Sequence, residues 1–278
     1  MTVSTPETEL QVIVSLIAIG LYISGSVLIL TRLKKLASGI DSDKSLILLA
    51  WGGAIPFHAL VLYQHLVTPR GLNLEFFNAL SMVAILIVGL LFLSTLKRPL
   101  ENLGIIVLPI AAVSISLNQF VPTEAVIAVS AQSSLQIHIL ISLLAYSVLS
   151  LAAFQAILLA IQDHHLHSHH PGGLIRALPP LRVMEQLLFQ LIGLGFLLLS
   201  LALLSGFFFL EDIFAQRQVH KTTLSITAWL VFAGLLLGHW RFGWRGRTAT
   251  RWMLMGFVVL MLAYFGSKLV LELVLERT

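Results

Sequence analysis

QLLFQLIGLGFLLLSLALLSGFFFL, residues 186–210, decides the fold class, because this stretch contains no charged side chain. An α-helix of about 20 apolar residues is long enough to cross the hydrocarbon core of a bilayer. A helix also satisfies its own backbone hydrogen bonds, which lipid cannot do. The stretch therefore predicts a transmembrane helix.

Seven more apolar runs of similar length occur along the chain. The eight predicted spans are approximately residues 10–31, 45–67, 75–96, 100–120, 136–162, 186–210, 223–241 and 252–274. The hydrophilic loops between them are too short to bury a core of their own. We therefore predict an all-α polytopic membrane protein, a bundle of about eight transmembrane helices that forms a single integral-membrane domain over residues 1–278.

The composition supports this prediction. Of the 278 residues, 58% are hydrophobic and 11% are charged, whereas soluble domains carry roughly 25% charged residues. The formal net charge of +4 does not indicate a nucleic-acid binder, because the basic residues lie between the spans. The N-terminal MTVSTPETELQ is acidic, the wrong polarity for a signal peptide, so the first apolar run is predicted to be a retained anchor.

The basic residues also predict an orientation. Twelve of the seventeen lie in alternate loops: Arg32, Lys34, Lys35, Lys44, Lys97, Arg98, Arg176, Arg182, Arg241, Arg245, Arg247 and Arg251. Lysine and arginine are retained on the cytoplasmic side of bacterial inner membranes. These four loops are therefore predicted to be cytoplasmic, and both termini are predicted to lie outside.

Ionisable side chains within the spans are the first candidates for function, because they are costly in lipid. His58 lies near the middle of the second span, and His65 follows one heptad later. His138 is at the outer end of the fifth span and His239 at the inner end of the seventh. Lys268 and Glu272, four residues apart in the last span, are predicted to pair with each other.

The chain has no cysteine, which excludes disulfides, thiolate metal sites and iron–sulfur clusters. It also has no hydrolytic triad, P-loop or zincin motif. Two imidazoles from different helices are then the most direct way to ligate a haem iron in a bundle. The alternative is that each histidine bonds a neighbouring carbonyl or serine, or reaches the membrane interface.

A tract of five histidines lies in the segment DHHLHSHHPGG, residues 163–173. The five are His164, His165, His167, His169 and His170. Such tracts can bind zinc, nickel or copper, but a Gly- and Pro-bounded polar segment has no fixed scaffold. We predict a flexible cytoplasmic loop that is not part of a haem site.

Four stretches resemble the CcsA-type cytochrome c assembly proteins. They are SSLQIHILISLLAYSVLSLAAF (133–154), MEQLLFQLIGLGFLLLSLALLSGFFF (184–209), HKTTLSITAWLVFAGLLLGHWRFGWRG (220–246) and MLAYFGSKLV (261–270). The earlier part of the chain is similar to the YpjD/HemX-like subgroup, and the span that contains His58 carries this similarity. Two family features are missing. Residues 211–221 read EDIFAQRQVHK where the family has a tryptophan-rich motif, and the second external ligand falls near Leu275.

The resemblance implies a haem-associated protein of the bacterial inner membrane, with several membrane spans, that binds or handles haem b and is not an enzyme. His138 corresponds to the external haem ligand, and His58 and His239 are the intramembrane candidates, with His65 as a fallback for His58. The second nitrogen of His138 then needs an acceptor, such as a backbone carbonyl or Gln136. The expected partners are the lipid bilayer, haem and another membrane or cytochrome assembly protein.

Two other functions remain open from the sequence. One is a structural or regulatory membrane subunit that kept the fold without the cofactor. The other is a small-molecule or ion permease, although the sequence shows neither an inverted repeat nor a pair of broken helices.

Overall fold

The computed structural model describes residues 6–40, 42–68, 71–73, 75–97, 100–120, 133–167, 178–209 and 219–266. Within these residues, eight helices are long and apolar enough to cross a membrane. They are α1 (Pro6–Ala37), α2 (Ser45–Leu66), α3 (Phe76–Lys97), α4 (Gly104–Phe120), α5 (Ser133–His167), α6 (Leu181–Phe209), α7 (Val219–Phe242) and α8 (Gly246–Met261). The predicted all-α polytopic fold is confirmed.

Local signals account for the ends of the first helices. Proline is favoured as the first helical residue because the missing N–H has no helical partner there, and Pro6 begins α1. Gly39, with φ of 76°, ends the helix, and the N–H of Ile40 donates to the carbonyl of Lys35 at 2.9 Å. Before α2, hydrogen bonds from Ser45 lower the pKa of the exposed Asp43 carboxyl.

The fourth span is helical despite its polar residues. The 3₁₀ turn Glu101–Leu103 leads into α4, which contains Pro109. Ser114 and Ser116 donate their hydroxyl hydrogens to carbonyls of the preceding turn, at 2.8 and 2.9 Å. Because these polar groups are satisfied within the helix, they do not prevent a transmembrane helix. Two short antiparallel strands, β1 (Val67–Thr68) and β2 (Gly71–Leu72), connect α2 to α3.

Several helices extend beyond their approximate predicted spans, as α1 does to Ala37 and α6 does from Leu181. Helix α8 begins at Gly246 instead of residue 252 and continues as the π-helical segment Leu262–Gly266; its predicted end at residue 274 lies outside the described residues. Helix α5 continues to His167, so residues 163–167 are helical and not a loop. The polar end of α5 is held by a hydrogen bond from the Gln162 amide to the Pro179 carbonyl at 3.0 Å and by an ion pair between Asp163 and Arg247.

The helices group into two compact units, α1 to α4 and α5 to α8. In the first unit α1 packs on α2 and α4, and α3 packs on the same two helices. In the second unit α5 packs on α6 and α8, and α7 packs on the same two. In each unit the first and third helices therefore pack on the second and fourth, although the sequence shows no internal repeat. The assignment of residues 1–278 to a single integral-membrane domain stays a prediction.

Each unit has an apolar core. Trp51 and Leu108 are fully buried in the first unit, and Leu188 and Phe232 in the second. In the second unit α5 and α6 approach closely at Gly195, where a Cβ would lie 2.6 Å from Leu149. Small residues permit such contacts between membrane helices. This packing holds α5 against α6. The His138 site lies between these two helices, at the predicted outer end of α5.

Candidate functional site

His58 lies in the core of the first unit, between two hydroxyl groups. Its Nδ1 is 3.1 Å from the Tyr22 Oη of α1, and its Nε2 is 2.9 Å from the Ser81 Oγ of α3. All three side chains are fully buried. A neutral imidazole has one donor and one acceptor nitrogen, and both are used here. Ligation of iron by His58 would require one of these two hydrogen bonds to break.

His65, one heptad further along α2, belongs to a separate layer of polar contacts. The Oε1 of Gln119 in α4 lies 3.3 Å from the His65 Nε2 and accepts from the Ser15 hydroxyl at 3.0 Å. The Asn78 amide of α3 donates to the His65 carbonyl at 3.4 Å. These contacts connect all four helices of the unit. They form a structural hydrogen-bond network that satisfies buried polar groups.

His138 lies in the second turn of α5, and its Nδ1 is 2.9 Å from the Ser205 Oγ of α6. The Ser205 hydroxyl donates to the Ala202 carbonyl at 2.9 Å. A hydroxyl that donates its single hydrogen to a carbonyl can accept from an imidazole N–H, so this arrangement favours the His138 proton on Nδ1. Within the described residues Nε2 has no hydrogen-bond partner, so its lone pair is available. The expected acceptor Gln136 is replaced by a serine from the neighbouring helix.

His239 lies at the last turn of α7, and the turn to α8 sets its orientation. Its Nδ1 is 2.8 Å from the backbone carbonyl oxygen of Trp244. A carbonyl can only accept, so Nδ1 carries the proton and Nε2 carries the lone pair. The imidazole is stacked on the Phe189 ring of α6, with ring centroids 3.5 Å apart and an interplanar angle of 18°. No partner of Nε2 occurs in the described part of the chain.

An apolar groove lies beside His239, between α6 and α7. Its volume is about 490 Å³, and its lining residues are Phe189, Phe196, Ala233, Leu236, Leu237, His239 and Trp240. Small-molecule and cofactor sites have volumes of about 300–1,000 Å³ and are mostly apolar with a few polar groups. His239 is the single polar side chain of this α6–α7 groove. Leu237 and Trp240 are exposed, so the groove opens towards lipid in a membrane.

The turn that orients His239 depends on two glycines. Gly243 has φ of 68°, and its N–H donates to the His239 carbonyl at 3.1 Å. The N–H of Trp244 donates to the carbonyl of Gly238 at 3.2 Å. A Cβ at Gly238 would overlap the Trp244 indole, so the close approach of Trp244 to α7 needs a glycine there.

The other candidates do not join these sites. His164 and His165 lie on the last turns of α5, where the His165 Nδ1 donates to the Ile161 carbonyl at 2.9 Å. The predicted roles of His169 and His170, and the predicted pairing of Lys268 with Glu272, concern residues outside the described ones. In the described ranges, no group of three His, Asp or Glu side chains could hold a metal ion.

The residues of the second unit fit the haem that the sequence resemblance implies. Haem ligation by histidine needs a neutral imidazole with one free nitrogen and a second nitrogen held by an acceptor. His138 and His239 both have this arrangement, and His239 adds an apolar groove. Sequence reasoning missed Ser205, Phe189 and the Trp244 carbonyl. Trp244 had a sequence signal, because it follows His239 closely in the chain. Ser205 and Phe189 had none, because contacts between helices leave no local pattern.

Comparisons with known proteins show the family of the chain. The family model of the cytochrome C assembly protein matches residues 44–275. The chain is 33% identical over 227 residues to the inner membrane protein YpjD of Escherichia coli K12, which covers 80% of this chain and 84% of that relative. It is 36% identical over 143 residues to an uncharacterized 28.8 kDa protein of Azospirillum brasilense, covering 51% of this chain and 53% of that relative.

A more distant relative is the cytochrome c biogenesis protein CcsA of Chlamydomonas reinhardtii. It is 27% identical over 140 residues, which is 50% of this chain and 38% of that relative. No solved structure matches the chain.

Proposed function

Since the chain belongs to the family of cytochrome C assembly proteins, we propose that it binds or handles haem b in a role related to cytochrome c biogenesis. The chain is a multi-pass inner-membrane protein, as the similarity to YpjD and the eight apolar helices indicate. The proposed activity is binding or movement of haem, without turnover of a substrate.

The observation that carries the proposal is the pairing of His239 with the α6–α7 groove. The Trp244 carbonyl fixes the His239 proton on Nδ1, so Nε2 is the atom that can coordinate iron. The groove offers an apolar surface of suitable size beside the His239 side chain. Phe189 supports the imidazole from one face. We propose that His239 would hold an intramembrane haem through its Nε2.

His138 is the proposed ligand of a second, outer haem. Ser205 holds its Nδ1 and leaves Nε2 available, as the resemblance to the external ligand position requires. His138 lies at the predicted outer end of α5 and His239 at the predicted inner end of α7. About 30 Å of hydrocarbon separates the two faces, so the two histidines serve different haems.

Haem, when bound, would supply an iron that histidine nitrogens can ligate. The chain's own residues select the imidazole tautomer, orient the ring and exclude water from the groove. His58 has no such role in this proposal, because Tyr22 and Ser81 use both of its nitrogens. The proposed partners are the lipid bilayer, haem and a further membrane or cytochrome assembly protein.

The test is the visible absorption spectrum of the full-length protein, purified in detergent after haem-replete expression. The wild type is expected to show a b-type Soret band. His239→Ala and His138→Ala are each expected to shift or reduce it, and His165→Ala serves as the matched control because His165 is an exposed helical histidine. A spectrum that both ligand variants leave unchanged would contradict the assignment.

The second candidate is a structural or regulatory subunit that kept the fold without the cofactor. The observation that favours it is His58, a membrane-buried histidine whose contacts are all to hydroxyl groups of neighbouring helices. Absence of haem from wild-type protein after haem-replete expression would select this candidate.

A further inference from the structure

A second cavity, of about 460 Å³, lies among α5, α6 and α8 of the second unit. We call it the charged cavity, because it is lined by charged and polar residues: Asp163, His164, Glu185, Arg247, Thr250 and Arg251. These residues belong to the C-terminal end of α5 and the N-terminal ends of α6 and α8. The positive-inside pattern predicts that this end faces the cytoplasm. Nothing in the proposed haem sites uses these residues.

Both acidic groups of the charged cavity already have partners. The Arg247 Nε donates to the Asp163 Oδ2 at 3.0 Å. The Glu185 Oε1 accepts from the N–H of Gly246, the first residue of α8, at 2.6 Å. A carboxylate at this position is also stabilised by the positive end of the α8 dipole. Each carboxylate is therefore bound within the protein, Asp163 by Arg247 and Glu185 by the first residue of α8.

Two donors of the cavity, by contrast, lack acceptors. Neither the Arg251 guanidinium nor the Thr250 hydroxyl has a hydrogen-bond or ion-pair partner among the described residues. Thr250 is only 6% exposed and lines the cavity, so its hydroxyl is accessible to a ligand there. His164 adds a further imidazole at the rim. Arg251 and Thr250 could therefore both donate to an acceptor that carries negative charge.

We propose that the charged cavity binds the phosphate group of an anionic ligand, either a phospholipid headgroup or a soluble phosphate. Arg247 and Arg251 are one helical turn apart on α8, so both guanidinium groups can face the same ligand. Arginine donates in a fork that matches phosphate oxygens. Basic pockets between transmembrane helices on the cytoplasmic side are typical sites for anionic lipid headgroups.

The test uses the purified full-length protein and two probes. Phosphatidylglycerol is titrated in detergent micelles and bound molecules are counted by native mass spectrometry, with phosphatidylcholine as the neutral reference. Inorganic phosphate is titrated separately and followed by the broadening of its ³¹P resonance. The variant is Arg251→Gln, and Arg245→Gln is the matched control, since Arg245 loses the same charge but does not line the cavity.

Binding of phosphatidylglycerol, weakened about tenfold by Arg251→Gln and unchanged by Arg245→Gln, supports a lipid headgroup site. Binding of inorganic phosphate alone, with the same dependence on Arg251, supports a soluble ligand. Thr250→Val, which keeps the shape of the side chain, is expected to weaken binding as Arg251→Gln does. The proposal is overturned if neither probe binds, or if both arginine variants have equal effects.

Discussion

The Nδ1 of His239 and the carbonyl oxygen of Trp244 are 2.8 Å apart, so the turn between α7 and α8 determines which nitrogen of this histidine carries its proton. The contact joins the last turn of α7 to a residue just beyond it. Its geometry depends on Gly243, with its positive φ, and on Gly238, where the Trp244 indole lies against α7. A backbone turn therefore prepares a side chain for ligation.

Gly238→Ala is expected to disturb His239. The added methyl group would overlap the Trp244 indole, and relief of such overpacking typically costs about 1–3 kcal/mol. The melting temperature should fall, and the ¹⁵N shifts of His239 in haem-free protein should report a change in the Nδ1–H tautomer. The control is Gly193→Ala in α6, where a Cβ meets nothing within 4 Å. Unchanged ¹⁵N shifts in Gly238→Ala would refute the role of the turn.

Ser205→Ala is expected to weaken haem binding at His138. The substitution removes the acceptor for the His138 Nδ1–H, and loss of such a partner typically costs about 10–100-fold in affinity at metal sites. The affinity is measured by titration of haem into protein that carries His239→Ala, so that only the outer site is observed. Thr227→Val is the control, because its hydroxyl bonds only its own helix, at Thr223. Equal affinities in the two variants would exclude Ser205 from the site.

Tyr22→Phe is expected to destabilise the first unit without changing haem content. It leaves the His58 Nδ1 buried without a partner, which costs about 1–3 kcal/mol. The measurement is thermal unfolding in detergent, alongside the absorption spectrum. Tyr63→Phe should change stability by less than about 0.5 kcal/mol, since Tyr63 is 63% exposed. A loss of haem on Tyr22→Phe would show that the His58 contacts belong to a haem site.

Replacement of all five histidines at 164–170 by alanine is expected to leave haem content unchanged. The prediction rests on His164 and His165, which lie at the polar end of α5 and do not line the α6–α7 groove. The readout is the haem-to-protein ratio from the Soret absorbance. A lower ratio in the replaced protein would place a haem ligand in the tract.

The orientation is tested with reporter fusions. A reporter that is active only outside the cytoplasm should be silent when fused after Arg247 and active after Arg217, because the segment 241–251 carries four arginines. The reverse pattern of activity would invert the predicted topology and place the charged cavity on the outer side.

Several features of the fold could be predicted from the residues. Apolar runs as long as 186–210 predict membrane-spanning helices. The first seven predicted spans agree with α1 to α7 apart from the ends of some helices. The end of α5 and the start of α8 were misjudged, because polar residues can continue a helix beyond the hydrocarbon when tertiary partners bind them. Asp163 at the end of α5 has such a partner in Arg247.

The candidate histidines were visible in the sequence, but their roles were not. His58 and His138 both occur in apolar helices, and nothing local distinguishes the first, with both nitrogens bonded, from the second, with one nitrogen available. The sequence by itself determined the membrane class, the number of spans and the family, since hydropathy and motif order are local properties. Tertiary structure alone decided which helix presents Ser205, Tyr22 or the Trp244 carbonyl to each imidazole, because hydrogen bonds between helices depend on packing.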